Sequence, residues 1–251
     1  MIAANRSASK YATDSINVEL RNIDVQYLLS YTLASEALSV QGPLTGRATL
    51  YSLFSMPIVE AQAYIPNAGL NNTYLGDLNA SAYWDHPTNS IIIEGQAIDS
   101  TDHLVADVNG KVIPDKKWWG LDIKCDSIDI GLIDFWTHDF FANPQGRACG
   151  DLQIFGQDHL TWVTTKLYGK NVQLMVPQIG ATFQFSDSIF MDSTSIRIPR
   201  LDIFDTEGNK GTFEGIISHS NFQDFQYNLS ANVNNMLVLN LPEDPQSLFY
   251  G

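Results

Sequence analysis

The sequence predicts a mostly β chain, an antiparallel sheet with one or two short helices, and three observations carry that reading. Apolar residues fall on alternate positions over long stretches, most cleanly at Tyr227, Leu229, Ala231 and Val233. That is the period of a strand with one dry and one wet face. Clusters of turn formers separate these stretches. Asp205-Thr-Glu-Gly-Asn-Lys-Gly211 reads as a turn, with Gly208, Asn209 and Gly211 supplying residues that tolerate positive φ. The chain also repeats itself. Gly42-Pro-Leu-Thr-Gly46 is echoed by Gly146-Arg-Ala-Cys-Gly150, and the same displacement carries Gln62, Tyr64, Asn67 and Leu70 onto Lys166, Tyr168, Asn171 and Leu174. Ile23-Asp24-Val25 matches Ile128-Asp129-Ile130 at a displacement one residue longer. The order of these matches predicts one segment, 1–251, made of two copies of a long β unit, about 16–110 and 121–251.

Each copy is expected to open with a strand, Ile16–Leu20 and Leu121–Cys125. Val25, Leu28 and Leu29 then fit one helical face, as do Ile133, Trp136 and Phe140, so a short helix is expected at both places. Further strands are expected at 90–99, 103–108, 111–113, 161–168, 181–185 and 195–204. Asn109-Gly110, between two of these, has the composition of a two-residue hairpin turn. Between Ile198 and Leu201 the apolar phase changes at Pro199-Arg200, which predicts a bulge, an edge position or a strand end. Read from the residues alone, such a set of alternating strands favours a closed sandwich or barrel.

With 14 Lys+Arg against 28 Asp+Glu the chain carries a net charge of −14 and has no basic stripe. Such a chain repels phosphate backbones, which argues against nucleic acid as a partner. No apolar run approaches the roughly 18 residues a membrane helix needs, the first residues do not read as a signal peptide, and the chain reads as a piece of a longer protein.

The residues that could carry chemistry are scattered. Cys125 and Cys149 stand apart without a CxxC and are expected in the core rather than in a disulfide. His86, His103, His138, His159 and His219 lack the spacing of a metal site and read as solvated loop residues. The neighbours Ser218 and His219 would point to opposite faces of a strand, so they cannot act as nucleophile and base. Asp202 with Asp205, and Asp187 with Asp192, read as a solvated outer face rather than a glycosidase pair. In Trp118-Trp119 and Phe140-Phe141 one ring of each pair should lie inside and one outside. No catalytic residue, metal or cofactor is expected, and the chain reads as a non-enzyme. A secreted carbohydrate-active or carbohydrate-binding β protein is the alternative, favoured by the aromatics and acids, and a purely structural scaffold is a third reading.

At Asp205-Thr-Glu-Gly-Asn-Lys-Gly-Thr-Phe-Glu-Gly215, followed by His219, Phe222 and Phe249-Tyr250-Gly251, the chain resembles the TamB family of the AsmA-like group, in its Bacteroidetes form. Gly146 to Gly156 and Phe183-Gln-Phe-Ser-Asp-Ser-Ile-Phe add to the likeness. The resemblance implies an elongated, curled sheet, the open β-taco trough, in a periplasmic region of a protein anchored in the inner membrane. It implies a role in the translocation and assembly module, supporting outer-membrane biogenesis. The clients would be phospholipid or an outer-membrane protein, and a BamA-type partner would be engaged through regions outside this chain. Phe183, Phe185, Ile196, Ile198, Ile203, Tyr227, Leu229, Val233 and Val238 are then expected to line an apolar groove. Such a groove has a clear energetic motive. Each methylene exposed to water costs about 0.8 kcal/mol, so a bare sixteen-carbon tail costs about 12 kcal/mol.

Overall fold

Alternating β-branched, aromatic and polar residues favour extended backbone, and an extended segment satisfies its N–H and C=O groups only by pairing. The structure, a computed structural model, describes residues 2–5, 15–29, 39–51, 58–70, 73–133, 141–158, 160–220 and 223–241. Within them the strands are β1 (Ile2–Asn5), β2 (Ser15–Asp24), β3 (Val40–Gln41), β4 (Pro43–Tyr51), β5 (Ile58–Leu70), β6 (Thr73–Asp85), β7 (Ser90–Ile98) and β8 (Leu104–Ile113). They continue with β9 (Trp118–Asp129), β10 (Ala142–Gln157), β11 (Leu160–Val176), β12 (Ala181–Met191), β13 (Ser195–Phe204), β14 (Lys210–Ser220) and β15 (Gln223–Val233). All belong to one antiparallel sheet whose strand order follows the chain from β1 to β15, with β3 off that path and paired to β5. The sheet does not close. The closed sandwich or barrel that the residues alone favour is therefore corrected, because periodicity reports faces and not closure. Helical structure among the described residues is limited to α1 (Val25–Leu29) and 3-10 turns at Pro114–Lys116 and Ile130–Ile133. Trp136 and Phe140, expected in a second helix, lie outside the described residues.

The chain divides into two compact units, Met1–Lys124 with Gln153–Thr161, and Cys125–Leu152 with Trp162–Gly251. In the first, cross-strand register sorts side chains onto two faces. Val18, Ala48, Ala61, Ala82, Ile93 and Gly110 form one apolar row, each directly opposite the next. At the end of this face Val25, Ile65 and Ala68 are buried, with Val40, Leu44 and Leu78 packed against them. Asn109-Gly110 is not a hairpin turn, which corrects the expectation. Both residues lie within β8, where Asn109 faces Glu94 and Gly110 faces Ile93. A Cβ at Gly110 would come within 2.7 Å of the end of the Leu121 side chain and 3.0 Å of Ile93 Cβ, so a neighbour would have to shift.

Bulges follow a common design. Asn22, Asn67 and Asn171 all have φ near +50°, and each lies at a register shift in its strand. Their amides donate to side-chain oxygens on the neighbouring strand: Thr45 Oγ1 at 3.2 Å, Asp77 Oδ1 at 2.8 Å and Ser186 Oγ at 2.8 Å. Asn tolerates the left-handed region better than other residues with a side chain. The residues that recur in sequence occupy like places. A Cβ at Gly46 would meet the Gln62 carbonyl and Ala63, and one at Gly150 would meet the Lys166 carbonyl and Leu167. Ala68 and Val172, which follow Asn67 and Asn171, are both buried. Asp24 Oδ1 accepts from the Gln26 amide at the start of α1, and Asp129 Oδ1 accepts from the Gly131 amide at the 3-10 turn.

Candidate functional site

The second unit carries the residues expected to line a groove. Along β11 and β12, Val172 faces Phe185 and Leu174 faces Phe183. Met191 of β12 faces Ile196 of β13, which faces Ile217 of β14 and then Tyr227 of β15. Ile198, Gly215 and Leu229 form the next row, and Ile203, Gly211 and Val233 a third. Phe204 pairs with Gln184 on the opposite face. Phe183, Phe185, Ile196, Ile198, Ile203, Tyr227, Leu229 and Val233 therefore share one face of the sheet. Ile196 and Ile198 keep that face in common with Leu201 and Ile203 because a bulge separates Ile198 from Leu201, at the Pro199-Arg200 phase change. The strand is internal and does not end at Pro199. Val238 lies after β15, outside any strand.

Burial on this face is graded. Ile203 is only 8% exposed and Leu201 only 2%, so Ile203 serves the core rather than a surface. Tyr227, at 56%, and Leu229, at 41%, are exposed. Phe225 and Tyr227 stack at 6.5 Å between ring centroids, and Phe225 lies 5.8 Å from the ring of His219. His219 is buried in β14, which corrects its reading as a solvated loop residue. Its position two residues after Ile217 puts it on the apolar face. His86 and His103 are exposed as expected, while His138 and His159 lie outside the described residues.

Asp205 also departs from expectation. It is 3% exposed, not part of a solvated outer face. Its carboxylate accepts from the amides of Glu207, Asn209 and Leu237 and from Asn209 Nδ2, all within 2.8–2.9 Å. Burial raises its pKa, but these four donors outweigh burial and hold it at about 2. In this turn only Gly208 has positive φ, at 84°. Asn209 is there for its hydrogen bonds, and a Cβ at Gly211 would meet Met236 and the Asn232 carbonyl. Asp202 is paired instead with Lys210 at 2.7 Å, on the exposed side. Asp192 caps its own turn, accepting from Thr194 and Ser195, which lowers its pKa.

The first unit presents a hollow of about 890 Å³ on its polar face. Two cross-strand rows line it. Glu19, Arg47, Gln62, Ser81, Glu94 and Asn109 form one, and Thr45, Tyr64, Asn79, Gln96 and Asp107 the other. Arg47 donates to Gln62 Oε1 at 2.9 Å and Gln96 to Asp107 Oδ1 at 3.3 Å. Tyr64 donates to Asp77 at 2.7 Å, and the carboxylate raises the phenol's pKa. These rows were not singled out from sequence, where alternate polar residues read simply as the wet side of strands. Trp118 adjoins a second hollow with Phe155 and Asp122, while Trp119 packs over Gly156. Cys125 is buried and Cys149 half-buried, both as free thiols. Burial pushes the Cys125 thiol pKa up.

Comparison with known proteins adds no relative: no family model, no curated protein and no solved structure matches the chain.

Proposed function

We propose that this chain is a stretch of a TamB-like periplasmic bridge whose apolar sheet face shields phospholipid acyl tails, or apolar strands of an outer-membrane protein client, from water. The observation that carries the reading is the convergence of Phe183, Phe185, Ile196, Ile198, Tyr227, Leu229 and Val233 on one face of the second unit. Towards β15 that face is exposed. A passive shield needs no catalytic group. It lowers the cost of moving a tail by replacing water with side chains along its length. Acids that stand on the other face suit such a role, as Asp202 and Glu214 do opposite Thr212 and Ser230. Asp187 instead lies on the apolar side, opposite Gly169. A photo-crosslinker at Leu229 is expected to capture lipid or client, whereas one at Asn228, its outward neighbour, is not. Equal capture at both positions, or none at Leu229, overturns the proposal.

The polar hollow of the first unit favours a second reading, a carbohydrate-binding β protein, because its amides, carboxylates and Tyr64 suit a polyhydroxylated ligand. Soluble oligosaccharides that shift the side-chain resonances of Gln62 and Asn79, with no lipid capture at Leu229, would put that reading first.

A further inference from the structure

On the carbohydrate reading of the polar hollow, and whatever the apolar face of the second unit carries, we infer that the ligand is a neutral, extended oligosaccharide long enough to touch two tyrosines at once. It lies along β5 and β6, with one sugar ring against Tyr64 and another against Tyr83. Three cross-strand pairs set out the track: Tyr64 faces Asn79, Gln62 faces Ser81 and Glu60 faces Tyr83. Side chains alternate between faces along a strand, so all six stand on the polar face. Tyr83 stands four residues beyond Asn79 on β6, so at ~3.4 Å per residue the two tyrosines are rooted about 14 Å apart. Tyr64 borders the hollow of about 890 Å³, and Tyr83 borders a neighbouring one of about 690 Å³. The two share Arg47, Gln62, Ser81 and Glu94, so they run together between the rings. Ser81 has the shortest side chain of its row, which keeps the floor low there.

Both rings are held in place and open to a ligand. Tyr64 is 39% exposed and Tyr83 42%. The Tyr64 hydroxyl donates to Asp77 Oδ2 at 2.7 Å, and Asp77 Oδ1 accepts the Asn67 amide at 2.8 Å, so the β5 bulge fixes one ring. The Tyr83 hydroxyl lies 3.5 Å from Glu94 Oε1. A fixed aromatic ring offers its face to the C–H side of a sugar at little ordering cost. Between the rings, Arg47 donates to Gln62 Oε1 and leaves Gln62 Nε2 as a donor, while the Ser81 hydroxyl both donates and accepts. Such mixed groups match sugar hydroxyls. Charge narrows the class further. Glu19, Glu60, Glu94 and Asp107 outnumber Arg21 and Arg47 around the two hollows, and Arg21 is bound to Glu19. A uronate or sulfated chain would be repelled. A peptide strand finds no ladder here, since β5 and β6 lie between β4 and β7.

The test titrates the whole chain with cellobiose, cellotetraose and N-acetylchitotetraose, read at the side-chain amide resonances of Gln62 and Asn79. At least one tetrasaccharide should bind about tenfold more tightly than cellobiose, which reaches only one ring. Tyr64→Ala and Tyr83→Ala, each verified as folded by its unchanged melting, should each weaken that tetrasaccharide about tenfold. Tyr83→Phe should keep most of the affinity, because the ring makes the contact. No shift with any sugar overturns the carbohydrate reading and the inference together. Equal affinity for cellobiose and the tetrasaccharides, or an affinity unchanged in either Ala variant, overturns the two-ring inference alone. So does equal binding of tetragalacturonate, or tighter binding of a tetralysine peptide, which would make a polycation the occupant.

Discussion

At Asp205 one carboxylate joins the β13–β14 turn to the chain beyond β15, because Leu237 donates to the same group as Glu207 and Asn209. Its folded pKa of about 2 lies below the ordinary 3.8. A depressed carboxylate contributes stability in full above its unfolded pKa and loses it as pH falls through the folded value, here between about pH 4 and pH 2. Asp77, Asp99 and Asp192 are also held low by hydrogen bonds, so the wild type alone would not isolate Asp205. The difference from Asp205→Asn does. The variant should melt below the wild type at neutral pH, and the gap should close as pH falls from 4 to 2. A gap that stays constant over that range would show that the charge of Asp205 does not matter. The role of this residue was legible only in part. An Asp opening a Gly- and Asn-rich turn signals a turn, but its bond to Leu237 spans the whole of β14 and β15, and no local pattern records it.

Among the elements, the hairpins and bulges show what a sequence discloses. The β13 bulge was legible at Pro199-Arg200 only as one of three readings, beside an edge position and a strand end, because an inserted residue breaks a period of two and any of the three would leave that mark in the apolar pattern. Asn109-Gly110 misled for the opposite reason. A hairpin signal is a local preference, and the ladder between β7 and β8 together with the close approach of Leu121 overrides it. The recurring glycines were legible as a pattern but not as a cause. The cause is the carbonyl of the next strand, Gln62 at Gly46 and Lys166 at Gly150. Gly150 also has φ of +140°. Substituting Ala at Gly46 should therefore cost roughly 1–3 kcal/mol in urea unfolding, as overpacking does, and Ala at Gly150 should cost more. Gly208→Ala is the control. Its φ is +84° but nothing lies within 4 Å of the added Cβ, so only backbone strain of about 1 kcal/mol is expected. A Gly208 loss equal to that at Gly150 would refute the packing explanation.

For the whole molecule, mostly β structure followed from periodicity, while openness did not, because closed and open sheets need the same alternation. The candidate face was likewise legible as a set of strand residues. Their exposure was not, since Ile203 and Leu229 carry the same pattern yet one is buried and the other is open to solvent. That difference comes from position: β13 has a neighbour on each side and β15 ends the sheet among the described residues. The proposed shielding role depends on the open part of the face holding an apolar chain. Lipid extraction and mass spectrometry on the chain purified from a phospholipid-containing host test this most directly. The account predicts that phospholipid co-purifies with the wild type and is lost from a folded Tyr227→Asp, Leu229→Asp double variant. A wild type free of lipid, or a double variant that retains as much, would contradict it.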